Sequence, residues 1–227
     1  NVSEWTQVTG TGMESALARS LANGSSGYQP AHDTSDNHLT FDTTGGQEDN
    51  LAFNSAVTQA GILIVATSNG IFAYEVDADS ITHITALGSQ EGFYQALDLY
   101  AYLLLPAATT DSDVVNAIAY LDSQTGATRN PTGSLASYFR DRDDIVAPKF
   151  SGIDFGGVTN LANCWYLCDD LESFPAVDLS NVTVFDSTWR GCGSLTSFPK
   201  LDLSSGTDFG YAWTDCTSLT SFPHADL

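Results

Sequence analysis

The last third of the chain carries a 24-residue repeat, and that period constrains the fold more than any other feature. Cys168, Cys192 and Cys216 fall on one lattice, as do Leu171, Leu195 and Leu219. Phe174-Pro175, Phe198-Pro199 and Phe222-Pro223 recur as a pair. Thr183-x-Phe185 returns as Thr207-x-Phe209, and Trp189 and Trp213 keep the same spacing. A degenerate earlier copy holds Phe150, Ile153, Asp154, Thr159, Leu161 and Trp165 in register. A fixed period of about 20 to 30 residues predicts a solenoid, each coil burying its apolar edge against the next. Trp165, Trp189, Trp213, Phe185 and Phe209 then read as core rather than as a sugar-binding platform.

The stretch after each Phe-Pro pair is the expected strand, Ala176–Ser180 and then Lys200–Ser204. Alternation turns Val177, Leu179, Leu201 and Leu203 inward and Asp178 and Asp202 outward. These two stack with Asp154 and Asp226 into a ladder. Unit charges one strand spacing apart repel by about 1 kcal/mol in water. Backbone N–H groups, a basic partner or Ca²⁺ would answer that repulsion, so Asp154, Asp178, Asp202 and Asp226 are the candidate Ca²⁺ ligands.

Ala212-Trp-Thr-Asp-Cys216-Thr-Ser-Leu219-Thr-Ser-Phe222-Pro223 resembles the A-F-x-x-C-x-x-L-x-x-(I/F)-x-P pattern of BspA-like leucine-rich repeats, with Trp in place of the usual Phe. The resemblance covers about residues 144–227. It implies bacterial surface proteins, adhesins, and phage tail or fibre proteins, and it brings no catalytic residues.

Residues 1–140 carry no repeat and read as a separate β-rich module. Thr11-Gly-Met-Glu14 is a capping box ahead of a short helix over 15–21. Leu51–Thr58, Ile62–Thr67, Ile71–Val76, Ile81–Thr85 and Leu97–Leu105 are the expected strands. Asn69-Gly70 marks a hairpin. Thr110 caps a second helix over Asp111–Ser123. The expected fold is therefore α+β: a small sandwich with two helices over 1–140, then a short leucine-rich-repeat solenoid of 24-residue coils over 141–227. Arg140–Asp144, dense in charge, suits the solenoid's solvated N-terminal cap.

A net charge of −21, with only seven Lys and Arg, repels phosphate backbones, so nucleic acid is not an expected partner. No run of 18 apolar residues is long enough to span a membrane. Cys164 lies too close to Cys168 for an unstrained disulfide, and the cysteine spacing does not suit zinc. The sequons at Asn1, Asn23 and Asn181 are candidate glycosylation sites. His32, His38, His83 and His224 form no metal or catalytic spacing, and no nucleophile, phosphate-loop or dinucleotide motif appears.

The chain opens on Asn1, and its last repeat stops at Leu227. The expectation is a processed N-terminus and a solenoid incomplete at its C-terminus, leaving Leu219, Phe222, Ala225 and Leu227 as candidate self-assembly residues. The expected function is that of a non-enzymatic extracellular structural protein: a homopolymeric subunit of a surface appendage, fibre or phage tail-like filament. The alternative is a monomeric adhesin whose solenoid binds a host protein or cell-surface glycan. A glycan-cleaving enzyme is the third reading. No cofactor is expected beyond the candidate Ca²⁺.

Overall fold

The structure, a computed structural model, describes residues 31–33, 38–41, 50–52, 60–76, 83–85, 97–125 and 127–222. The capping box at 11–14, the helix over 15–21, the sequons at Asn1 and Asn23, and residues Ala225, Asp226 and Leu227 lie outside them. The fold is mixed α/β. Ten strands and one helix are described: β1 Ala31–Asp33, β2 His38–Phe41, β3 Asn50–Ala52, β4 Gly61–Thr67, β5 Gly70–Val76, β6 His83–Thr85, β7 Leu97–Pro106, α1 Asp111–Gln124, β8 Thr132–Ser134, β9 Ile145–Pro148 and β10 Gly157–Asn160. Among the described residues no helix is long and apolar enough to cross a membrane.

The main sheet has six strands in the order β1-β2-β7-β4-β5-β9, all antiparallel. β3 pairs with β6, and β8 with β10 in parallel. Every residue of β4 is buried, as its unbroken apolar sequence requires of a central strand covered on both faces. α1 packs against β4, β5 and β7 through the buried stripe Val114, Ala117, Ile118 and Leu121. Its start follows the local chemistry, since the Thr110 side chain accepts from Asp113 N–H at 3.3 Å. The arrangement is a helix-backed sheet where the sequence reading expected a sandwich. Tyr138 and Phe139, at the start of the tiers, pack on Phe72 and Tyr74 of β5.

The β4–β5 hairpin turns through Ser68-Asn69, because Thr67 pairs with Gly70. Gly70 has φ +147, and a Cβ there would meet the Phe72 ring at 3.1 Å, so glycine is demanded by both backbone and space. Thr67 Oγ1 donates to Gly70 O at 2.9 Å and shares a 2.7 Å hydrogen bond with the Tyr138 hydroxyl.

Residues 134–222 are built as successive tiers. A parallel column runs through Ser134, Asn160, Val184 and Asp208. Beyond it, alternate N–H groups climb to the next tier. Leu135, Ser137, Phe139 and Asp141 donate to the carbonyls of Asn160, Ala162, Cys164 and Tyr166. Leu161, Asn163, Trp165 and Leu167 donate to Val184, Asp186, Thr188 and Arg190. Phe185, Ser187, Trp189 and Gly191 donate to Asp208, Gly210, Ala212 and Thr214. Each tier puts two residues four apart in the left-handed region: Ser137 and Asp141, Asn163 and Leu167, Ser187 and Gly191, Tyr211 and Asp215.

Aromatic columns fill the interior. Phe139, Trp165, Trp189 and Trp213 stack with centroids 5.5, 6.0 and 5.4 Å apart, and Phe174, Phe198 and Phe222 stack beside them. Burying roughly 150–250 Å² per aromatic side chain gains a gross ~4–6 kcal/mol each. That outweighs the ~1 kcal/mol of repulsion per Asp rung, so the aromatic columns set the stacking.

The first tier begins at Leu135 and is longer than its successor, since Val146 O accepts from Glu172 N–H while Glu172 O accepts from Thr196 N–H. The two extra residues fall in β9, which pairs with β5. Tyr138 and Phe139 of this tier pack on Phe72 and Tyr74. One buried apolar cluster therefore runs from β4 to Leu203. Arg142 and Asp144, expected as part of a solvated cap, are buried at 4% and 8% exposure.

The stretch after Phe-Pro is not the strand of the repeat. Ala176–Ser180 is irregular, and Lys200–Ser204 carries an isolated bridge at Asp202 alone. Asp178 Oδ1 accepts from Ser180 N–H and Oγ, and Asp202 Oδ1 from Ser204 N–H and Oγ. Such local side-chain-to-backbone turns compete with a ladder. The inward and outward assignments hold: Leu179, Leu201 and Leu203 are buried, Val177 is half-buried, and Asp178 and Asp202 are exposed.

Candidate functional site

The tier of residues 208–222 differs from the one beneath it in what it leaves open. Phe185, Trp189, Cys192 and Leu195 have no exposed surface, and Phe198 has 6%. Their counterparts Phe209, Trp213, Cys216 and Leu219 are half-buried, and Phe222 is 43% exposed. The N–H groups of Phe209, Tyr211, Trp213 and Asp215 occupy the positions that donate upward in every earlier tier, and they have no carbonyl partner among the described residues. Among the described residues this tier thus presents an apolar cross-section together with four aligned donors. Of the four residues expected to mediate assembly, Leu219 and Phe222 belong to this face.

The face of the stack at residues 138–144 is closed. Phe139 and Tyr138 are fully buried beneath β4 and β5. Arg142 takes the column position of Cys168, Cys192 and Cys216, and pairs with Asp144 while its Nη2 donates to the Tyr74 hydroxyl at 3.1 Å. Burial opposes its charge, but the Asp144 carboxylate and the Tyr74 oxygen more than offset this and hold the Arg142 pKa above its ordinary value.

The four cysteines are free. Cys168, Cys192 and Cys216 Sγ donate to the carbonyls of Phe139, Trp165 and Trp189 at 2.9, 3.1 and 3.0 Å. Cys168 and Cys192 are buried, whereas Cys216 is partly exposed. Burial pushes the Cys164, Cys168 and Cys192 thiols far above the usual range and Cys216 up to about 11.

Asp154, Asp178 and Asp202 are exposed, and each carboxylate folds onto its own turn; Asp154 Oδ1 accepts from Gly156 N–H at 2.8 Å. Hydrogen bonds from the Ser180 and Ser204 hydroxyls and N–H groups lower the pKa values of Asp178 and Asp202. These bonds give the ladder the backbone answer weighed beside Ca²⁺. Among the described residues no group of three or more His, Cys, Asp or Glu is placed to hold a metal ion. Asn181 is exposed, but its Nδ2 donates to Gly156 O at 2.8 Å, and Thr183 Oγ1 donates to Thr159 O. Both sequon side chains therefore also tie one tier to the last.

The sequence reading missed one surface feature. The Arg140 guanidinium lies 4.5 Å from the Tyr166 ring centroid, and that of Arg190 lies 5.7 Å from Tyr166 and 5.3 Å from Tyr211. Each such contact contributes about 0.5–1 kcal/mol at an exposed site. Its signal is the spacing of Arg140, Tyr166 and Arg190 along the chain, which is legible only once the longer first tier is recognised. No family model matches the chain, and neither a curated protein nor a solved structure matches it.

Proposed function

We propose that residues 141–227 are a leucine-rich-repeat solenoid of 24-residue coils, and that the protein is a non-enzymatic extracellular structural subunit. In this reading it builds a surface appendage, fibre or phage tail-like filament by head-to-tail contacts with copies of itself. The observation that carries it is the open tier: side chains buried in one repeat are half-buried, or for Phe222 exposed, in the next, beside four N–H groups in register. A sheet edge and an apolar cross-section left open together are a template for pairing. The face of the stack at Tyr138 and Phe139 lies under β4 and β5, so it is unlike the face of the 208–222 tier. A contact between unlike surfaces is heterologous and propagates rather than closing as a twofold dimer. The charge of −21 keeps finished filaments from bundling.

A concentration series in light scattering, followed by negative-stain microscopy, tests this reading. The expected result is a mass that rises with concentration and filaments of constant width. Leu219→Asp and Phe222→Asp, checked for an unchanged far-ultraviolet spectrum, should both remain monomeric. A wild-type chain that stays monomeric throughout the series would overturn it.

A further inference from the structure

The Arg190 side chain packs against two aromatic rings and makes one long ion-pair contact. Its guanidinium sits between the Tyr166 and Tyr211 rings. The nearest carboxylate, Asp215 Oδ2, is 3.9 Å from Nε, beyond hydrogen-bond reach. No side-chain hydrogen bond engages the Arg190 guanidinium among the described residues, in contrast to Arg140, which donates to Asp141 at 3.3 Å. Two of the three exposed large hydrophobic residues so described are its neighbours: Tyr211, at 65%, lies against the guanidinium, and Leu167, at 40%, gives its N–H to the Arg190 carbonyl and packs over Gly191. Two planar rings and a guanidinium whose N–H groups make no hydrogen bond among the described residues thus meet on one side of the tiers, with Leu167 at the adjoining position.

We propose that Arg190, Tyr211, Tyr166 and Leu167 form a binding site for a carboxylate-bearing sugar. The flat N–H fork of an arginine matches a carboxylate with two parallel hydrogen bonds. An exposed tyrosine face accepts the C–H face of a pyranose ring as apolar surface while leaving its hydroxyls in water. Charge narrows the choice further. A polyanion meets the field of a chain at −21 over its whole length and is repelled. A single carboxylate in contact with Arg190 feels mainly that guanidinium and the nearby Asp215 carboxylate, because charges beyond about 8 Å are largely screened at physiological salt. The site therefore suits one acidic sugar at a time, such as a chain end or an isolated residue. This assignment stands independently of self-assembly.

Titration calorimetry on the full chain tests it with methyl glucuronide and the methyl glycoside of N-acetylneuraminic acid as carboxylated probes, and methyl glucoside and acetate as controls. At least one carboxylated probe should bind saturably, with both controls about tenfold or more weaker, as expected for losing a charge-assisted hydrogen-bond pair or the ring contact. Arg190→Gln should weaken the carboxylated probe about tenfold or more, Arg190→Lys by less because charge remains without the fork, and Tyr211→Ala several-fold. Lys200→Gln, a charge removed away from this column, should leave binding unchanged. Acetate binding as tightly as the sugars would assign the site to carboxylates in general, acidic peptides included, and overturn the proposal. So would an Arg190→Gln variant of wild-type affinity, or no binding of either carboxylated probe at millimolar concentration.

Discussion

Arg142 and Asp144 form a buried ion pair on the column that Cys168, Cys192 and Cys216 continue. The pair closes the stack on the side facing the sheet, because Arg142 also donates to the Tyr74 hydroxyl of β5 and lies 5.1 Å from that ring. Its Nη1 is buried without a partner, so the joint carries a desolvation cost that an apolar joint would not.

The cost gives a prediction with two arms. Arg142→Ala strands the Asp144 carboxylate in the core and should lower stability by about 3–5 kcal/mol in urea unfolding. The concerted change Arg142→Met, Asp144→Leu and Tyr74→Phe removes every charged and hydroxyl group at the joint, and should be neutral or stabilising. A single Arg142→Ala variant within about 0.5 kcal/mol of wild type, the range of ordinary surface changes, would show that the pair is not buried as described.

The cysteine column predicts an order of chemical reactivity. Thiolate is the attacking species, and burial holds all four thiols protonated at neutral pH. Cys216, partly exposed with its pKa pushed up to about 11, should be the thiol that reacts slowly in the native chain, with a rate that climbs toward that pH. Cys164, Cys168 and Cys192 should react only after unfolding. Mass spectrometry after iodoacetamide pulses at pH 7 and 9 would read this, and rapid native labelling of Cys192 would contradict it. Cys192→Ser should be mild, since the hydroxyl inherits the Trp165 carbonyl at the thiol's 3.1 Å position.

The same burial sets the alkaline limit of the fold. Cys164, Cys168 and Cys192 have folded pKa values above their unfolded ones through desolvation. Tyr74 and Tyr138 are raised chiefly by burial as well. A raised folded pKa means the folded chain holds its protons longer, so stability is intact below the unfolded pKa and falls as pH rises past it. Loss should begin near the ordinary cysteine value of about 8.5, steepen near the ordinary tyrosine value of about 10, and reach up to ~1.4 kcal/mol per pH unit for each group. Urea midpoints between pH 7 and 11 measure it. A flat profile would mean that these groups are solvated.

Much of this architecture was legible in the sequence because the repeat is exact where it is strongest. Cys, Leu, Phe-Pro and Trp recur with the 24-residue period, and the Phe and Trp columns stack. The first tier was hidden by two residues added in β9, which serve pairing with β5 and break the period. It was hidden again by composition, since Arg142 stands on the cysteine column and Phe139 on the tryptophan column. With the two extra residues allowed for, Leu135-Ala-Ser-Tyr-Phe139 does match Leu161-Ala-Asn-Cys-Trp165. The strands assigned after Phe-Pro failed for a different reason. Asp-x-Ser alternates like a strand, yet its carboxylate is better satisfied by the N–H two residues on. The open tier and the Arg190 site depend on which residues end up beside one another across tiers, and alternation within one repeat carries no information about that.

The left-handed column allows a sharper test of the stacking geometry. Asp141, Leu167, Gly191 and Asp215 have φ values of 54, 56, 78 and 64. A left-handed conformation costs a residue with a Cβ roughly 1–2 kcal/mol, which Asp partly recovers through local hydrogen bonds and Leu does not. A Cβ built on Gly191 would meet Leu167 Cδ2 at 2.5 Å, so the two positions share space as well as conformation. Leu167→Gly should therefore stabilise, by about 0.5–1 kcal/mol after the extra freedom of the unfolded chain is counted. Gly191→Ala should destabilise by more than the roughly 1–2 kcal/mol of the conformation, because the clash with Leu167 adds to it. In the double variant the clash is gone and the conformational penalty remains, so its cost should be smaller than the sum of the single effects. That coupling is the signature of direct contact. Strict additivity in urea unfolding would place Leu167 and Gly191 out of contact, and with them the register of the second tier on the third.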